Sequence, residues 1–60
     1  MTWLEAARLA GKHWGLEEDI TESYNKYRKD GFNSEDSAHY ACYEWDVFMS
    51  LEIIKKVTEV

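Results

Sequence analysis

The chain has 60 residues, 45% hydrophobic and 15% aromatic, with twelve acidic against seven basic side chains and a net charge of −5. Its length fits one domain, and its one cysteine, Cys42, excludes an internal disulfide. A chain this short buries only about 60% of the surface its unfolded form exposes, so a disulfide, a metal or a partner chain commonly supplements such a core. The acidic balance argues against direct nucleic-acid binding, because that affinity comes from clustered Lys and Arg releasing counterions.

In chain order, Thr2 and Glu5 form the T-x-x-E pattern in which hydroxyl and carboxylate satisfy orphan helix amides reciprocally. This predicts a first helix over about residues 2–14. Trp3, Ala7, Ala10 and Trp14 share one stripe, flanked by Leu4, Ala6 and Gly11, with Glu5, Arg8 and Lys12 opposite. The N-terminus lacks a basic segment followed by an apolar run, and no stretch approaches the ~20 apolar residues of a membrane span. With the free thiol, this makes the cytoplasm the expected compartment, with no membrane partner.

Gly15 is the expected stop, since glycine commonly follows a helix end. A second helix is predicted over about residues 17–30. Glu17, Glu18 and Asp19 sit at its positive end, Lys26, Arg28 and Lys29 at its negative end. Leu16, Ile20, Tyr24 and Tyr27 give it a narrow apolar stripe about 100° out of phase with the first, which favours a break near Gly15 over one continuous helix.

Past Gly31 and Phe32, Asn33 or Ser34 can cap a third helix, with Glu35 and Asp36 in its first turn. The pattern predicts one helix over about residues 34–58, a rod of roughly 36 Å. A terminal strand over Ile53, Ile54, Val57, Thr58 and Val60 is disfavoured because no second strand is visible to pair with it. The fold expected is therefore all-α, with two short helices packed on one long C-terminal helix.

That long helix carries two opposed apolar stripes. Ala38, Ala41, Cys42, Trp45, Phe48, Met49 and Ile53 form the face expected to meet the other helices. Tyr40, Tyr43, Val47, Leu51 and Ile54, continued by Thr58, form a second line whose spacing alternates threes and fours, as in a knobs-into-holes seam. Apolar stripes are commonly core, and helices one and two could take opposite sides of the third. Exposed apolar area of this extent otherwise marks an interaction surface. The expectation is a homodimer through helix three, the self-interface being Tyr40, Tyr43, Val47, Leu51 and Ile54. A groove in another protein is the alternative occupant.

Glu35, His39, Cys42 and Asp46 are metal-capable and lie along one line of that helix, but they span about 16 Å, too far for one ion. At most two neighbours could share a metal, with His13 or a second chain completing the set. No paired zinc motif is present, and no metal or cofactor is expected. His39 stands near enough to Cys42 for nucleophilic chemistry, but no phosphate loop or oxyanion turn accompanies it, so no enzyme activity is expected. Glu17, Glu18, Asp19 and Glu22 suggest a different use, an acidic surface that imitates a nucleic-acid backbone and occupies a basic groove. Glu22 with Lys26, and Glu52 with Lys56, are spaced as helical ion pairs that balance much of this charge. A DNA-reading helix starting Ser34-Glu35-Asp36 would turn carboxylates toward phosphates, which argues strongly against that use.

Asp30-Gly31-Phe32 followed by Ser34-Glu35 and Ala38 resembles the first loop of ubiquitin-associated domains, where a Gly-Phe turn joins two short helices. The likeness covers about a dozen residues. Those domains continue with another loop and a third short helix, whereas the pattern here continues as one helix, so a ubiquitin-binding role is not carried over. The functional expectation is a small acidic protein–protein interaction module, an adaptor or an inhibitor of a larger protein, such as phages and mobile elements encode. The acidic mimic is its alternative.

Overall fold

The computed structural model describes residues 1–58. It is all-α, with α1 (Trp3–Gly11), a 3-10 turn (Lys12–Trp14), α2 (Glu17–Lys29), α3 (Ser34–Glu44) and α4 (Leu51–Thr58). The starts of α1, α3 and α4 follow the capping chemistry, whereas α2 begins after Leu16 with no side-chain cap. Thr2 accepts from the Glu5 amide at 3.1 Å while the Glu5 carboxylate accepts from the Thr2 amide at 3.0 Å. Asn33 accepts from the Asp36 amide at 2.8 Å, and Ser50 caps α4 through the Ile53 amide at 3.4 Å.

The stops share one device. Beyond the 3-10 turn, α2 and α3, a left-handed residue reverses the chain so that its own amide and the next one reach back to helix carbonyls. Gly15 has φ 68° and Leu16 donates to Gly11 at 3.1 Å. Gly31 has φ 104° and Phe32 donates to Tyr27 at 3.1 Å. Asp46 has φ 57° and Val47 donates to Cys42 at 2.8 Å. The second and third motifs carry the apolar contact that accompanies such ends. Tyr27 and Phe32 meet edge to face at 5.8 Å, and Cys42 and Val47 both lie in the core.

Asp46 corrects the expected architecture. There is no long C-terminal helix for two short ones to pack on, and no seam for dimerisation through it. The predicted helix over 34–58 is two helices, and the C-terminal one is the shortest of the four α-helices, at eight residues. A rod of roughly 36 Å would exceed the longest extent of the fold, 31 Å. The terminal-strand alternative is met by helix through Thr58, and Val60 lies outside the described residues. The extra loop and short helix that set the ubiquitin-associated resemblance aside are thus present, although α4 packs mainly on α1.

The core forms where α1, α2 and α3 converge and α4 covers α1. Ala6, Ala7 and Ala10 face Ile20, Ala38, Ala41, Cys42, Val47 and Leu51, with Trp3, Leu16, Tyr24 and Ile54 at the margin. Small side chains bring the helices close, and a Cβ on Gly11 would fall 2.3 Å from Cδ1 of Ile20. Trp14, placed by the sequence on the inner stripe of the first helix, is instead exposed in the 3-10 turn.

Candidate functional site

The break at Asp46 exchanges the two stripes. Before it, Ala38, Ala41 and Cys42 are buried and Tyr40 and Tyr43 face outward, as the wheel predicts. Beyond it, Val47 and Leu51, expected on the outer seam, are buried at 1% and 0% exposure, and Ile54 is half-buried against the core. Phe48, Met49 and Ile53, expected inside, are exposed, and so is Trp45, the last inner-stripe residue before the break. The five seam residues therefore do not share a surface. Tyr40 and Tyr43 remain outside, and Val47, Leu51 and Ile54 serve the chain's own packing.

What stays outside is still strongly apolar. Phe48 is 73% exposed, Ile53 62% and Val57 67%. Ile53 and Val57, four residues apart, share the outer side of α4. Phe48 reaches back to Tyr43, with ring centroids 6.0 Å apart, and Tyr40 closes an aromatic group with Tyr27 and Phe32 at 5.6 and 5.2 Å. The sequence signal for Phe48, Ile53 and Val57 was present as apolar spacing. Their outward direction depends on the turn angle at Asp46.

Two polar arrangements lie elsewhere. An open groove of about 710 Å³ between α2 and the end of α3 is lined by Asp19, Glu22, Ser23, Lys26, Lys29, Glu44 and Trp45. At its floor the Ser23 hydroxyl donates to the Glu44 carboxylate and accepts from the Trp45 indole N–H at 2.9 Å. Lys26 lies 3.8 Å from Glu44, an interhelical pair where sequence spacing suggested Glu22.

The second arrangement joins α3 and α4. The His39 Nδ1–H donates to the Glu35 carbonyl at 2.8 Å, and Nε2 faces the Glu52 carboxylate at 3.2 Å. The ring packs on Trp3 at 5.5 Å, and the Lys55 ammonium covers the Trp3 ring at 4.5 Å. The backbone N–H of Glu52, then the Ser50 hydroxyl and His39, hold the Glu52 carboxyl below the ordinary range. Of the line Glu35, His39, Cys42 and Asp46, only the first two stay together. Cys42 is in the core and Asp46 is past the helix end, while Glu52, unforeseen from the sequence, joins them.

Burial pushes the Cys42 thiol up to about 11, the direction opposite to that of an activated nucleophile. Among the acids of α2, Glu18 lies 3.4 Å from Arg8, and Asp19 and Glu22 border a groove that also presents Lys26 and Lys29. No described helix is long and apolar enough to cross a membrane. Comparison with family models, curated proteins and solved structures finds no match to this chain. Its class is thus defined by its own structure, a small all-α protein with four α-helices among the described residues.

Proposed function

We propose that this chain is a non-enzymatic protein–protein interaction module that pairs with a second copy of itself through the outer side of α4 and the loop before it. The observation that supports this reading is the exposure of Phe48, Ile53 and Val57 along ten consecutive residues, 48–57, in a chain with little core to spare. Five of the nine buried apolar side chains among the described residues are alanines. Alanine contributes little apolar area, so covering Phe48, Ile53 and Val57 adds burial that the single chain lacks. A twofold axis lets one patch serve both partners, and aromatic anchors such as Tyr43 and Phe48 suit the centre of such a contact.

The acidic-mimic alternative has weaker support, because Lys26 and Lys29 interrupt the carboxylate field of α2 and Arg8 takes up Glu18.

Light scattering across a concentration series tests the pairing, with wild type beside Ile53→Glu and Val57→Glu. The expected result is a concentration-dependent dimer that either substitution dissociates while the helical circular dichroism of the monomer is retained. A wild type monomeric at every concentration overturns self-pairing.

A further inference from the structure

We infer that Glu35, His39 and Glu52 form a binding site for one first-row divalent transition ion of the zinc class, linking α3 to α4. This inference is independent of the self-pairing reading. One donor atom from each of the three residues lies within 4.8 Å of the other two. Donors around a single zinc, each about 2.1 Å from it, sit about 3–4 Å apart. An exposed glutamate covers that difference by a small rotation, and Glu35 and Glu52 are both exposed while His39 is half-buried.

The tautomer is set before any ion arrives. A carbonyl can only accept, so Nδ1 must hold its proton toward the Glu35 backbone oxygen. Nε2 is thereby left facing the Glu52 carboxylate 3.2 Å away. Nε2, the Glu52 carboxylate and the Glu35 carboxylate thus converge from two helices, the placement from which one cation could be held. A ligating histidine usually donates its other N–H to a carbonyl or carboxylate, as His39 does toward Glu35. Packing of the ring on Trp3 and the position of Glu35 one helical turn before His39 hold the set in place.

Two carboxylates and a neutral imidazole neutralise a divalent charge. The nitrogen donor selects zinc-like ions over magnesium or calcium, which prefer all-oxygen shells. Three protein ligands leave a fourth position for water or for a side chain from another molecule. The structural consequence is a clamp across residues 45–50, joining α4 to α3 as well as to the α1 surface on which it packs.

Titration calorimetry of the full chain with zinc chloride, and separately with magnesium chloride, tests the site. One zinc per chain is expected, with magnesium at least about tenfold weaker. Glu52→Gln and Glu35→Gln, both at exposed positions, should each weaken zinc by at least about tenfold, and His39→Ala should abolish stoichiometric binding. Cys42→Ala should bind as wild type. Zinc should move the His39 ring resonances but not those of His13, and should raise the thermal midpoint of wild type but not of Glu52→Gln. Zinc binding no tighter than magnesium, binding unchanged in Glu52→Gln, or a response at His13 in place of His39 overturns the assignment.

Discussion

The indole N–H of Trp45 donates to the Ser23 hydroxyl at 2.9 Å, and the same hydroxyl donates to Glu44. One buried serine of α2 therefore holds both the last residue of α3 and the residue that follows it, next to the turn at Asp46. Ser23→Ala removes an acceptor from Trp45 and a donor from Glu44. The expected loss is about 1–2 kcal/mol in urea denaturation, with faster hydrogen exchange at the Trp45 indole N–H. An unchanged midpoint and unchanged exchange would show that the hydroxyl carries neither contact in solution.

Asp46 adopts the left-handed conformation that disfavours most side chains, and it is an acid two residues past the end of α3, where the helix dipole is negative. Asp46→Gly relieves both effects and should raise stability by about 0.5 kcal/mol after the entropy of a more flexible unfolded chain is counted. Asp46→Val should lower it by about 1–2 kcal/mol. Equal stability of the two variants would contradict the turn.

Leu51 and Ile53 stand two residues apart on α4 with opposite fates, 0% and 62% exposed. Leu51→Ala should cost about 2–4 kcal/mol by cavity formation. Ile53→Ala should stay within about 0.5 kcal/mol, measured at concentrations where the chain is monomeric. The reverse order would restore the sequence-based wheel, in which Ile53 faces inward.

Burial sets the Cys42 thiol at about 11 against an ordinary 9.0. The unfolded chain loses this proton first, so between about pH 9 and 11 the folded state binds more protons than the unfolded one and stability falls as pH rises. Alkaline denaturation should therefore begin in this window and be delayed in Cys42→Ala when each protein is compared with its own midpoint at pH 7. At pH 8 the native thiol should resist a disulfide exchange reagent that modifies it rapidly in urea. Rapid native labelling would place Cys42 outside the core.

Much of the local grammar was readable in the chain. Thr2 with Glu5, Asn33 before the acids of α3, and Gly15 and Gly31 at helix ends act through hydrogen bonds and backbone freedom within a few residues. The inner stripes of α1 and α2 follow for the same reason, since periodicity fixes which side chains share a face. Those signals determined the all-α class, the first two breaks and the side of α3 that turns inward.

The third stop was illegible because Asp46 performs a glycine's role without a glycine's signature. Its left-handed turn is compensated by Val47 and Cys42 entering a core assembled with distant residues of α1 and α2. Once the helix breaks, angular phase no longer carries across it, and Val47 and Leu51 exchange places with Phe48 and Ile53. The approach of Glu52 to His39 likewise depends on that turn. Short-range patterning in the sequence determined the helices and their faces. Only tertiary packing decided where the last helix begins, because the conformational cost at Asp46 is offset by contacts far away in the chain.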